Sequence, residues 1–450
     1  MSQAIMEKYG EARLPRYTSY PTAPHFAAMP DKAVYADWLT AIPSGEPTSL
    51  YLHIPFCRSM CWYCGCHTTI TRRDRPILDY LDVVHREIEL VGRTRRDSLS
   101  VEEVHFGGGT PTIIRPGEFI ALMDAIRNRL GCTRNLNAAV EIDPRTLTPE
   151  MAEALGHAGI TRASLGVQSF DPVVQKAINR VQSVKITALA VENLRKAGIF
   201  RINFDLIYGL PHQTEASCVE TVRAAVAMRP DRFAVFGYAH IPTFKKHQRM
   251  IDEAVLPAAH ARSAQAEAIA EALVAAGYQR IGLDHFALPD DELSLARGTG
   301  RLHRNFQGYT TDDCKTLIGL GASAIGKFAQ GYAQNEVPVG LYADRIANGE
   351  FAVAKGYRLT EEDRFRGALI ERVMCDFSVD VSAIAGQHGF NAALVLEGNR
   401  RLDELRRDGL VHISDGVVRV EERYRFVVRA VAAAFDAYFG KGGRTFSKAA

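Results

Sequence analysis

Three cysteines, Cys57, Cys61 and Cys64, follow the apolar run Leu50 to Phe56 with the spacing C-x3-C-x2-C. Thiolates this close on one loop can hold an iron-sulfur cube by three of its four irons, which leaves the last iron open. A fully ligated cluster moves electrons. An open one can also bind and break a small molecule, by the logic that separates catalytic from structural zinc sites. The competing reading is a zinc loop completed by Cys66 or His67, because C-x2-C pairs commonly bind zinc; no second Cys/His knuckle accompanies it. Trp62 and Tyr63 inside the motif can give a low-potential centre apolar cover.

An open iron chelated by the amine and carboxylate of an amino acid places a sulfonium beside a reductant. Electron transfer then cleaves a carbon-sulfur bond and leaves a primary carbon radical, so the difficult chemistry belongs to the cofactor. The protein must hold the amino-acid part, and Gly107, Gly108 and Gly109 offer backbone that a ligand can approach closely. Glu141 could take a ribose or an ammonium group. Asp205, inside the apolar stretch 202–207, would be costly to leave unpaired, which predicts a cationic partner or ligand.

The elements that must position these residues alternate. Apolar runs at Leu50 to Phe56, Val104 to Phe106, Ala138 to Ile142, Arg162 to Val167, Arg201 to Ile207 and Arg232 to Tyr238 read as strands. Between them, Ile77 to Leu90, Gly117 to Leu130, Pro149 to His157, Val184 to Ala197 and Glu215 to Met228 read as crossover helices. That order predicts an α/β fold, a partial TIM-type barrel of parallel strands, with the chemistry at the strands' C-terminal ends. Further on, Ala258 to Ala276 reads as a helix and Tyr278 to Phe286 as a strand. After Tyr357 the pattern changes to helices at Glu361 to Cys375 and Ala392 to Arg407, a hairpin around Asp415-Gly416, and a last helix over Arg423 to Tyr438. These predict a small, winged-helix-like C-terminal domain that packs as a lid or structural unit. The expected division is an N-terminal extension over the active site (1–45), a core (46–355, cysteine loop 57–66) and the C-terminal domain (356–450).

The chain has 450 residues, 47% hydrophobic and 24% charged, with a formal charge of +2, so no global field pulls it onto nucleic acid or an anionic membrane. No apolar signal core or membrane-length run is seen, and the expectation is a soluble cytoplasmic monomer. Cys132, Cys218, Cys314 and Cys375 stand singly among apolar neighbours and read as small buried hydrophobes.

Together these residues resemble the radical S-adenosylmethionine enzymes and, within them, the oxygen-independent coproporphyrinogen III oxidase family. The resemblance rests on Leu14-Pro-Arg-Tyr-Thr-Ser-Tyr-Pro-Thr-Ala23, His53-Ile-Pro-Phe-Cys57, Cys61-Trp-Tyr-Cys-Gly-Cys66, His105-Phe-Gly-Gly-Gly-Thr-Pro-Thr112, Asp205-Leu-Ile-Tyr-Gly-Leu-Pro211 and His303-Arg-Asn-Phe-Gln-Gly-Tyr-Thr-Thr311, and it runs through nearly the whole chain. It implies that Cys57, Cys61 and Cys64 ligate a 4Fe-4S cluster carrying one S-adenosylmethionine, with Tyr51, Tyr63, Gly108, Glu141, Ala239 and Ile325 lining that site. It implies a second S-adenosylmethionine at Gly109, Thr110, Gln168, Arg180 and Asp205. Cys66 is implied to serve activity without ligating the cluster, and Arg16 and Tyr17 are implied substrate contacts. Tyr63 departs from the phenylalanine frequent in relatives.

The implied reaction is oxidative decarboxylation of two propionates of coproporphyrinogen III to vinyl groups, giving protoporphyrinogen IX. It calls for a reductant and an electron acceptor that the sequence does not identify. Cationic anchors for the propionates are expected among Arg16, Arg58, His303 and Arg304. The rival is a haem chaperone of the same superfamily, which lacks the N-terminal segment and fourth cysteine present here. A cluster-bearing DNA-binding regulator would instead use the C-terminal module.

Overall fold

Strand alternation decides what each face of the central sheet does. Leu50, Leu52 and Ile54 are buried on one face of β1 (Pro47–Ile54), as are Val104 and Phe106 of β2 (Ser100–Gly108) and Val140 and Ile142 of β3 (Cys132–Ile142). The pattern continues with Ala163 and Leu165 of β4 (Arg162–Gln168), Phe204 and Leu206 of β5 (Arg201–Tyr208), and Phe233 and Val235 of β6 (Arg232–Gly237). Period 2 sends their neighbours Tyr51, His105, Glu141, Ser164 and Asp205 to the other face. The apolar face packs under crossover helices Arg75–Thr94, Pro116–Leu130, Pro149–His157, Val184–Lys196 and Glu215–Val226, each buried side chain contributing about 1.5–3 kcal/mol. The polar face lines a cavity.

The computed structural model describes residues 5–10, 12–29, 31 and 33–441. A seventh parallel strand, β7 (Thr316–Leu320), lies beside β1, so the parallel order is β7-β1-β2-β3-β4-β5-β6. Antiparallel strands extend both flanks, and the outermost, Ala27–Ala28 and Gln279–Ile281, do not pair with each other. The sheet is therefore open and mostly parallel. Among the described residues no helix is long and apolar enough to cross a membrane.

Several local expectations change. The strand foreseen over Tyr278 to Phe286 is two short antiparallel strands, Gln279–Ile281 and His285–Ala287, reversed at Gly282, whose φ of +54° suits glycine. The helix foreseen over Ala392 to Arg407 breaks at Gly398 (φ +65°), after which Asn399 caps Arg400–Arg407 by accepting from Leu402 N–H. The last helix shortens to Val428–Ala433 behind a 3-10 stretch, Glu422–Val427. Of the four single cysteines, Cys218 and Cys375 are buried, while Cys132 and Cys314 are only partly so.

A second core forms around the helix Glu361–Asp376 and a three-stranded sheet of Ser378–Asp380, Val417–Val420 and Val411–Ser414. Tyr9, Leu14, Tyr17 and Tyr20 of the N-terminal segment belong to this core. Tyr17, at φ +49°, donates its hydroxyl to Asp436 at 3.0 Å. The segment is thereby pinned to the C-terminal region, and Arg13, Arg16 and Thr18 face the main cavity.

Candidate functional site

The cysteine loop leaves the end of β1 and is held by backbone on three sides. Thr71 N–H donates to Cys57 O at 3.0 Å, Trp62 N–H to Ile178 O at 3.0 Å, and Asn179 Nδ2 to Met60 O at 2.8 Å. A 3-10 turn, Lys246–Met250, and the residue before it close the loop from above. Lys245 Nζ donates to Cys66 O (3.0 Å), His247 Nε2 to Cys64 O (2.7 Å) and Gln248 Nε2 to both Tyr63 O (3.0 Å) and Ala239 O (3.2 Å). Sequence reasoning missed this clamp, because a lysine, a histidine and a glutamine in a polar stretch carry no periodic signal.

Each of the three sulfurs, Cys57, Cys61 and Cys64, has its own polar neighbours. Thr68 Oγ1 donates to Cys57 Sγ at 3.4 Å and Thr110 Oγ1 lies 3.3 Å from it. Arg145 Nη2 and Arg180 Nη1 each donate to Cys61 Sγ at 3.5 Å, and Cys66 N–H to Cys64 Sγ at 3.4 Å. Hydrogen bonds to sulfur tune a thiolate-bound cluster, so this donor set fits one. The glycine turn fits too: a Cβ on Gly109 would stand 2.5 Å from Phe56 O, and one on Gly108 (φ +116°) 2.8 Å from the His53 ring.

Beside the turn, Glu141 accepts from Gly108 N–H (3.0 Å) and His105 Nε2 (3.3 Å). His53 Nε2 faces a carbonyl, His67 O at 2.9 Å, so it carries the proton and Nδ1 accepts from Tyr51 O–H at 3.0 Å. Burial holds that imidazole neutral. Ala239 and Cys66 line the cavity wall, and Trp62 and Tyr63 pack against Val174, Ile178 and Tyr238. Gln168, at φ +64°, ends β4, with its amide against Gly166. Ile325 opens the strand Ile325–Phe328, beyond β7 from β1 and outside the cavity lining.

Three expectations need correction. Tyr17 is spent on the second core instead of facing the cavity. Arg58 turns outward to Asp74 at 2.6 Å, and His303 pairs with Glu371 at 3.3 Å, so neither lines the main cavity. Arg180 has anionic company of its own, with Asp143 at 3.3 Å and Gly166 O at 2.6 Å. Asp205 forms no salt bridge among the described residues; Asn203 Nδ2 (2.8 Å) and Ser164 Oγ (3.1 Å) donate to it.

Burial, and then Glu141, push the Asp205 carboxyl up to about 7. The ordinary value is 3.8, so the folded protein keeps a proton there that the unfolded chain loses. Stability from this group is fully present below about pH 4 and falls as pH rises to about 7. Asp205→Asn removes that loss, so thermal unfolding should show the variant gaining on wild type between pH 5 and pH 7.5, by up to a few kcal/mol. Equal pH dependence of the two proteins would refute this. A fold that keeps so costly a carboxyl facing a cavity keeps it for a ligand.

The cavity measures about 1800 Å³, and its lining includes Cys66, Glu141, Tyr208, Arg262, Asp284 and Arg429. Within it Arg16, Arg262 and Arg429 all act on the Tyr208 phenol, which burial pushes up and they pull down. Burial lowers the Arg16 pKa and takes that of Arg429 down to about 10; Arg304 repels both, and Arg16 repels Arg429 as well. The carboxylate amid them, Asp284, is bound by His285 Nδ1 (2.7 Å) and Arg304 (3.5 Å). Among the described residues Arg262 forms no ion pair, and its Nε is buried without a hydrogen-bond partner.

A model described as "Radical SAM superfamily" matches residues 51–225, and one described as "HemN C-terminal domain" matches 359–427. The chain is 56% identical to an oxygen-independent coproporphyrinogen III oxidase of Bradyrhizobium diazoefficiens over the whole of both chains. It is 41% identical to one of Paracoccus denitrificans over 97% of each. The solved coproporphyrinogen III oxidase (HemN) of Escherichia coli, a radical SAM enzyme, superposes with a TM-score of 0.89 at 35% identity, covering 95% of this chain and 100% of that one. With its cysteine loop, its parallel sheet and its C-terminal unit all matched, the chain belongs to the oxygen-independent coproporphyrinogen III oxidase family of radical SAM enzymes.

Proposed function

We propose that this protein converts two propionate side chains of coproporphyrinogen III to vinyl groups without oxygen, giving protoporphyrinogen IX. The observation that carries the reading is one large cavity with two unlike kinds of lining: Cys66 of the cysteine loop with strand residues such as Glu141 and Asp205, and guanidiniums clustered around Tyr208. About 1800 Å³ exceeds the roughly 300–1,000 Å³ of an ordinary small-molecule site, leaving room for a macrocycle beside a second molecule.

A 4Fe-4S cluster on Cys57, Cys61 and Cys64, with S-adenosylmethionine, would supply a one-electron reduction and a carbon radical able to take hydrogen from a propionate. The chain's own residues orient and shield. Tyr51, Gly108, Glu141 and Ala239 would border the first S-adenosylmethionine, and Gly109, Thr110, Gln168, Arg180 and Asp205 the second. Arg16 and Arg262 would hold carboxylates of the substrate that do not react. Arg304, fixed by Asp284 and lying 4.5 Å over the Tyr309 ring, keeps that part of the lining rigid. The N-terminal segment, tied down through Tyr17, brings Arg16 over the substrate and keeps water out. Cys66 offers a thiol proton at the wall. Reductant and electron acceptor come from outside the chain, and the protein works in the cytoplasm.

Anaerobic, cluster-reconstituted protein given reductant, S-adenosylmethionine and coproporphyrinogen III should release two carbon dioxide molecules per protoporphyrinogen IX, with 5'-deoxyadenosine. Retained haem with neither product would instead support the chaperone reading.

A further inference from the structure

We propose that the outer face of the cysteine loop is the docking surface for a small acidic one-electron carrier that feeds the cluster. A second cavity, about 370 Å³, opens beside Arg58 and Ser59 of the loop and shares no lining residue with the substrate cavity. Its lining reaches the ligand sulfurs in one step: Thr110 Oγ1 lies 3.3 Å from Cys57 Sγ, and Arg145 Nη2 lies 3.5 Å from Cys61 Sγ. Its rim is basic. Arg58 and Arg115 share one carboxylate, Asp74, at 2.6 and 3.1 Å. Arg72 and Arg73 precede Asp74 in the chain and are exposed, without a salt bridge among the described residues, on the segment whose Thr71 N–H bonds Cys57 O.

A protein of formal charge +2 thus gathers cations over the thiolates although its overall field is weak. Local charge of this kind steers an oppositely charged partner and sets its orientation. In the transfer one electron leaves the carrier and enters the cluster, and no bond forms or breaks. The carrier must reach the loop without entering the substrate cavity, and this face allows that while a porphyrinogen is bound.

The proposal rests on the cluster reading above. Its test uses reconstituted holoenzyme, a reduced flavodoxin as the acidic carrier, and dithionite as a small reductant. The R72E/R73E variant should accept electrons from flavodoxin about tenfold more slowly, followed by cluster bleaching, and bind it about tenfold more weakly by calorimetry. Raising salt should slow wild type far more than the variant. Iron content and dithionite reduction should match wild type. R406E/R407E, the same charge change on exposed arginines of the helix Arg400–Arg407, should behave as wild type. Flavodoxin reduction of R72E/R73E at the wild-type rate, or equal slowing of R406E/R407E, overturns the proposal. Wild-type protein that takes up no iron and sulfide overturns the cluster reading with it, so the two failures are told apart.

Discussion

Cys61→Ala should bring turnover to the uncatalysed background and strip the protein of iron and sulfide after anaerobic reconstitution. Cys57→Ala and Cys64→Ala should do the same. The reason is geometric: a cube held by three thiolates has no spare protein ligand, so losing one leaves two anchors and a second open iron. Cys61 is the most sensitive position because it is buried and faces Arg145 and Arg180, both at 3.5 Å. Without the thiolate, two guanidiniums confront each other with Asp143 as their shared carboxylate. Cys66→Ala is the discriminating comparison. It should keep its iron and sulfide, since Cys66 stands on the cavity wall and touches Cys64 through its backbone N–H. If Cys66→Ala also lost the metal, or Cys61→Ala kept a full complement, the ligand assignment would fail.

Much of this site was legible in the sequence because its residues follow the two periods of a strand-helix repeat. Six strands and five crossover helices alternate locally, and each strand end delivers a polar residue at a readable position. β7 was missed because it lies about eighty residues beyond β6 and pairs back beside β1, a contact that no local pattern encodes. Side-chain destinations were the least legible. Arg16 and Tyr17 are adjacent, yet one faces the cavity and the other a separate core, because a left-handed backbone at Tyr17 turns the chain between them. Asp205 was expected to find a cationic partner or a ligand, and within the protein it has two neutral donors from its own and the adjacent strand. That choice leaves its charge cost in place, and it could be seen only once β4 and β5 were in register.

Arg262 was passed over entirely, since it sits near the start of an alanine-rich helix, Ala259–Ala275, whose composition signals nothing but helix. The structure turns its guanidinium onto Gly209, where φ is +80° and no side chain intervenes, and so into the cavity near Tyr208. A half-buried guanidinium with no carboxylate partner among the described residues is poised for a ligand carboxylate. Arg262→Met should therefore raise the KM for coproporphyrinogen about 30-fold or more, the effect of about 2 kcal/mol lost with a desolvated charge pair. The change in kcat should be small, because the role assigned to Arg262 is to hold a carboxylate that does not react. Arg262→Lys should recover part of the loss, keeping the charge without the forked donor geometry. Binding of coproporphyrin III, read by fluorescence, should weaken in parallel, whereas its tetramethyl ester, which has no carboxylates, should bind wild type and variant alike. An ester that discriminates as strongly as the acid would mean that Arg262 acts by shape, and the assignment of this part of the cavity to propionates would fall.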